Sequence, residues 1–109
     1  LASLKTTSRG LYGAAQTYHD VAQKALRDAN GDASRVDWGK VDGTAAAEAI
    51  RDHGQSPADV AEMLRQRSPL MSDPANHQRL DNWLAKHADN LQAEYKQRRA
   101  ERDSGLQLG

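Results

Sequence analysis

Cysteine and phenylalanine are absent from this 109-residue chain, which has only two tryptophans, three tyrosines and three prolines. Without cysteine, neither a disulfide nor a thiolate-held metal can form, and a cytoplasmic location is the expectation. Valine occurs four times and isoleucine once, so residues that favour strands are scarce. No apolar run approaches the ~20 residues that a membrane-spanning helix needs. These shortages predict a small all-α domain with no membrane contact.

Hydrophobic residues make up 38% of the chain, and many of them are alanines, a composition typical of closely packed helices. The length predicts a single domain, residues 1–109, with one modest core. The chain begins at Leu1, without an initiator methionine or a signal-peptide apolar stretch, so we expect a fragment of a longer protein. Residues 103–109 are expected to form a flexible tail.

Apolar residues at three- and four-residue spacing predict four main helices in one bundle. The first helix covers roughly residues 8–29 and ends at Gly31, which can adopt the left-handed cap. The second covers roughly residues 37–53, with Asp37 as its N-cap and His53 on its buried face. Gly54 is expected to end this second helix.

The two later helices are marked by a capping residue followed by proline. Ser56-Pro57 begins the third helix, and Ser68-Pro69 ends it because the residue before proline avoids the helical region. Asp73-Pro74 begins the fourth helix, which is expected to run to about Arg102. A short extra turn is expected near Leu70-Met71. The long fourth helix is expected to be the element against which the other three pack.

Residues that carry enzymatic chemistry are missing or wrongly spaced. No serine lies in a nucleophile-elbow context, and there is no glycine-rich phosphate loop. No two histidines have the four-residue spacing of a helical zinc site. We therefore predict no catalytic residue, no metal site and no cofactor in this domain. The four histidines are His19, His53, His77 and His87.

Charge is balanced overall but unevenly distributed along the chain. Residues 30–64 hold three basic and seven acidic residues, whereas residues 65–102 hold eight basic and five acidic ones. Six basic residues at the ends of the third and fourth helices are candidates for phosphate contacts. The alternative is that these cations only stabilise helix C-termini and face solvent. The six are Arg65, Arg67, Lys96, Arg98, Arg99 and Arg102.

Aromatic residues offer a second signal for nucleic acid. Trp38 and Trp83 could stack on unpaired bases, although their amphipathic spacing favours packing against the core.

Several short motifs follow one another between residues 34 and 70. They are Ser34-Arg35-Val36-Asp37-Trp38, the alanine-rich stretch to Ile50, His53-Gly54, Ser56-Pro57, Asp59-Val60-Ala61, Leu64 and Ser68-Pro69. This region resembles the C-terminal helix-bundle domain of RepB-type plasmid primases, which also occurs in MobA relaxase–primases of mobilisable plasmids.

The resemblance implies that the parent protein makes primers on single-stranded plasmid origins. The metal-binding acids and the recognition of the origin would lie in a separate catalytic domain. This chain would be a non-catalytic partner of that domain, with its six basic residues on nucleotide, primer or template phosphates. The alternative is a protein-interaction module, in which the acidic second and third helices dock a replicative helicase or a relaxosome component.

Overall fold

The computed structural model describes the backbone of residues 8–108 and the side chains of residues 10–102. This part of the chain contains four α-helices, two 3₁₀ turns and no strand, which confirms the all-α prediction. The helices are α1 (Ser8–Asp28), α2 (Trp38–Arg51), α3 (Pro57–Arg67) and α4 (Pro74–Leu108), and the 3₁₀ turns are Ala33–Arg35 and Pro69–Ser72.

Helix boundaries follow the capping residues closely. The Asp37 side chain accepts a hydrogen bond from the backbone N–H of Lys40, which satisfies one of the unpaired donors in the first turn of α2. Ser56 does the same for the N–H of Asp59 in α3. Gly31 and Gly54 have φ of 81° and 67°, a left-handed conformation that ends α1 and turns the chain after α2. These predicted caps and stops are confirmed.

Two predicted helix ends differ from the structure. Helix α2 stops at Arg51, and His53 is exposed rather than on its buried face. Helix α4 continues to Leu108 instead of giving way to a tail after Arg102. No proline follows Pro74, and extending an existing helix is easy once its first turn has formed. Gly109 lies outside the described residues.

Helix α2, not α4, is the central element of the bundle. It packs against each of the other three helices, as α3 also does less extensively, whereas α1 lies on α2 and α3 and makes at most marginal contact with α4. Ala14 of α1 and Ala45 and Ala49 of α2 are completely buried. Because these side chains are small, α1 and α2 approach each other closely. The expectation that all three helices pack on α4 was wrong for α1.

The largest completely buried side chains come from α2 and α3, where Ile50, Val60 and Leu64 meet. Helix α4 adds a stripe that is buried only as far as Leu91. It has 35 residues against 14 in α2, so it is about 30 Å longer. Residues 96–102 are therefore exposed on a helix that extends beyond the bundle.

Candidate nucleic-acid interface

The six predicted basic residues lie at two opposite ends of the bundle. Arg65 and Arg67 belong to the last turn of α3, beside the beginning of α4, and both are exposed. The other four lie in the last third of α4. Asp81, the residue that Arg65 contacts, is about 26 Å along the helix axis from Arg98. The six residues therefore do not form one surface.

Two of the six are engaged in ion pairs within the bundle. The Arg65 guanidinium lies 2.6 Å from the Asp81 carboxylate, joining α3 to α4. The Arg98 guanidinium lies 2.9 Å from the Asp52 carboxylate and 3.9 Å from that of Glu94. Arg51 also binds Asp52, and this hydrogen bond together with the charge of Arg98 holds the pKa of Asp52 below its usual value.

The remaining cations of α4 have no such partner. The helix contains six basic residues, and five of them make no ion pair with any residue whose side chain is described. All five are exposed, so their charges are available to a ligand. They are Arg79, Lys86, Lys96, Arg99 and Arg102.

One face of α4 combines cations with aromatic rings and contains no acid between residues 76 and 90. At about 100° per residue, six side chains fall within a sector of about 100°. Trp83 and His87 are neighbours on this face, with ring centroids 4.8 Å apart. Arg79 lies one helical turn before Trp83, and Lys86 lies three residues after it. The six side chains are Asn76, Arg79, Trp83, Lys86, His87 and Asn90.

A groove of about 240 Å³ separates part of this face from α2. Gly39 and Gly43 of α2 lie on one side of it, and Arg79 and Trp83 of α4 lie on the other. The 3₁₀ turn Pro69–Ser72 completes the lining through Leu70 and Met71. A Cβ atom added at Gly43 would meet nothing within 4 Å, so the α2 side of the groove is open.

Asp42 lines the same groove and is only 7% exposed. Its Oδ2 accepts a hydrogen bond of 2.6 Å from the Ser68 hydroxyl, whereas its buried Oδ1 has no hydrogen-bond partner among the described residues. Burial raises the pKa of Asp42, and burial together with the Asp42 charge raises the pKa of Tyr18. A polar cluster thus lies among α1, α2 and the end of α3.

Trp83 was expected to pack against the core, and it does so with one part of its ring. The ring is only partly buried, and it also lines the groove. The spacing of Arg79, Trp83, Lys86 and His87 on one helix face is visible in the sequence. What no local pattern indicates is that two glycines of α2 lie opposite and leave the ring accessible.

A larger cleft of about 440 Å³ lies between the second half of α1 and the start of α2. Its charged residues are of both signs. Lys24 lies 3.9 Å from Asp28, and Asp37 is occupied as the cap of α2. The lining holds three cations and two acids, and two of the cations, Lys24 and Arg35, already lie within 4 Å of an aspartate carboxylate. Because Arg79 of the α4 groove makes no such pair with a described side chain, that groove is the stronger candidate for an anionic ligand.

Within the described residues, no group of three or more histidines, aspartates or glutamates is arranged to hold a metal ion. None of the helices there is apolar over a long enough stretch to cross a membrane. Comparisons with protein-family models, curated proteins and solved structures found no match. The resemblance of residues 34–70 to the helix-bundle domain of RepB-type primases therefore stays a prediction.

Proposed function

We propose that this chain is a non-catalytic helix-bundle domain of a plasmid DNA primase, acting in the cytoplasm beside a separate catalytic domain. Its role would be to contact single-stranded DNA or a primer–template through phosphates. The observation that carries this proposal is the exposure of five basic residues along α4 that make no ion pair with any described side chain. The resemblance of residues 34–70 supplies the class of parent protein.

The arrangement of these cations supports weak and sequence-independent binding. Lys96, Arg99 and Arg102 lie at the end of α4 that leaves the bundle, where a strand can approach without a clash. Phosphate contacts position a strand but do not identify its bases. The net charge of the chain is zero, so we expect lower affinity than a strongly basic protein would have.

The protein-interaction alternative depends on the seven acidic residues between positions 30 and 64. Most of these acids already have a role inside the bundle, as helix caps, buried groups or ion-pair partners. This leaves little acidic surface for a partner protein, so we do not favour the alternative. The five engaged acids are Asp32, Asp37, Asp42, Asp52 and Asp59.

Primer synthesis on a single-stranded plasmid-origin template tests the proposal. A RepB-type catalytic domain would be assayed alone and then fused to this chain. We expect the fusion to make primers that the catalytic domain alone does not make, or to make far more primers than that domain does. Equal primer synthesis by the catalytic domain alone would show that this chain is not needed for priming.

A charge-deletion variant tests the phosphate contacts within that assay. Replacing Lys96, Arg99 and Arg102 by alanine should weaken binding to single-stranded DNA and flatten its salt dependence between about 50 and 200 mM salt. The matched control replaces Lys24, Arg27 and Lys40, three exposed cations on α1 and α2, by alanine. If both triple variants bind equally well, the end of α4 does not contact the strand.

A further inference from the structure

The size of the groove between α2 and α4 limits what can enter it. Pockets that hold drug-sized ligands have volumes of about 300 to 1,000 Å³. This groove measures about 240 Å³, so it has room for one flat ring system rather than a larger molecule. Its sides suit a planar group, because Gly39 and Gly43 carry no side chain and Trp83 lies across from them.

The charged residues around the groove differ in exposure, because its cations are exposed and its carboxyl is buried. Arg79 lines it and is exposed, and Lys86 follows about two turns later on the same face of α4. Asp42, by contrast, is buried, and its Oδ1 lacks a hydrogen-bond partner among the described residues. A phosphate would be attracted to the exposed cations and repelled by the buried carboxyl. A group that enters should therefore be uncharged, with its negative charge remaining outside.

A nucleotide within a strand has this distribution of charge. Its base is flat, uncharged and bears N–H donors, and its phosphate is anionic. Aromatic side chains next to cations are the usual platform for unpaired bases, because every base has a face that can stack. Paired bases in a duplex are already stacked and cannot present that face.

We infer that the groove holds one unpaired base of single-stranded DNA, stacked on Trp83, with the flanking phosphates on Arg79 and Lys86. This inference rests on the proposed function, since it names the ligand contact that such a domain would make. It also adds a site that the six predicted basic residues do not include.

Tryptophan fluorescence tests the inference directly. In a Trp38→Phe variant of the full chain, Trp83 is the only tryptophan. Trp38 donates a hydrogen bond of 3.2 Å to the Ala33 carbonyl, so a melting curve must first show that the variant is folded. We expect a short single-stranded oligonucleotide to quench Trp83, and the same sequence as a duplex to leave it unchanged. Equal quenching by both would overturn the inference.

Filling the groove gives a second test that leaves every charge in place. Gly43→Met places a long apolar side chain in the space, whereas Gly43→Ala adds only the Cβ atom, for which there is room. Relative to Gly43→Ala, we expect Gly43→Met to lower the affinity for single-stranded DNA about tenfold or more and to abolish quenching. Equal affinity of the two variants would show that no base enters.

A third titration separates a strand from a free nucleotide. A nucleoside triphosphate should quench Trp83 far more weakly than the oligonucleotide, because it lacks the second flanking phosphate. If it binds as tightly as the strand, the groove is a nucleotide site and the inference fails.

These measurements use this chain without the catalytic domain, so they are independent of priming. Quenching in the absence of any effect on primer synthesis would support the groove and contradict the proposed function. Salt-sensitive binding without quenching would leave the phosphate contacts of the proposed function intact and overturn the groove.

Discussion

Asp42 and Asp52 lie about 15 Å apart along the direction of α2, and their pKa values are shifted in opposite directions. Asp52, just after α2, lies between the guanidinium groups of Arg51 and Arg98, and its pKa is lowered. Asp42, near the start of α2, is buried beneath the groove beside Ser68, and its pKa is raised. The same residue type thus closes an ion-pair junction at one end and leaves a polar group unsatisfied at the other.

The difference separates structural cations from cations that are available for binding. Arg98 is already neutralised by Asp52, so we expect its main contribution to be to the packing of α4 on α2. Arg79 has no ion-pair partner with a described side chain and lies on the open groove. Two arginines of one helix therefore have different expected roles, and local sequence patterns indicated Arg98, but not Arg79, as a candidate for phosphate contact.

The largest effect on stability is expected from Gly54→Ala, at the end of the bundle where Asp52 forms its ion pairs. Gly54 has φ of 67°, and an added Cβ atom would lie 2.6 Å from the ring of Tyr95. The left-handed backbone alone costs about 1–2 kcal/mol for a residue with a Cβ atom, and displacing Tyr95 adds to this. Urea unfolding should show the loss.

The control for that change is Gly43→Ala at the groove end, where an added Cβ atom meets nothing within 4 Å. Since alanine is a better helix former than glycine, it should raise the free energy of unfolding by up to about 1 kcal/mol. Equal effects of the two substitutions would mean that the two ends do not differ as described.

A smaller effect is expected from pH at the groove end. The folded-state pKa of Asp42 is raised above its ordinary value of 3.8, so the folded protein binds the proton more tightly than the unfolded chain. Its contribution to stability is greatest below pH 3.8 and is lost as the pH rises through the folded pKa. Asp42→Asn should therefore improve stability, relative to the unchanged chain, more at neutral pH than near pH 3.8.

Asp52 should show the reverse dependence. Its folded-state pKa lies below 3.8, so its stabilising contribution is present above that pH and is lost as the pH falls through the folded pKa. The difference in melting temperature between the unchanged chain and Asp52→Asn should shrink on acidification. A difference that grows would contradict the ion-pair junction.

The smallest effects are expected from the two arginines. Arg98→Ala removes a half-exposed ion pair, worth about 0.2–1 kcal/mol of stability, and should change the affinity for single-stranded DNA little. Arg79→Ala should leave stability within about 0.5 kcal/mol and weaken that affinity several-fold. Thermal melts and fluorescence anisotropy measure the two quantities. If Arg98→Ala weakens binding as much as Arg79→Ala does, the distinction between the two ends is wrong.

Local patterns predicted the helices well because each depends on neighbours in the chain. The caps at Asp37 and Ser56 and the stops at Gly31 and Gly54 need only the residues within one turn. The position of α2 at the centre was not predicted, because amphipathic spacing tells which face of a helix is buried but not which helix covers it. The same limit explains why the sequence could not show that the six basic residues lie at two opposite ends of the bundle.

The sequence predicts only the α4 side of the candidate site. Arg79, Trp83 and Lys86 share a face of α4 through helical spacing alone. The accessibility of Trp83 depends on Gly39 and Gly43, which lie opposite it in the groove. Both glycines are at least 40 positions away from Trp83 in the chain. Whether an arginine is paired depends in the same way on a distant acid, as with Arg98 and Asp52.

Local sequence patterns are enough to show that this protein is helical, where its helices begin, and which face of each one is apolar. These properties follow from backbone hydrogen bonding and from side-chain spacing within a few residues. Helix packing, by contrast, determines which charges are neutralised, which aromatic ring stays accessible, and whether a carboxyl is buried beneath a groove. Those outcomes depend on distances between residues far apart in the chain, and these distances exist only once the helices have packed.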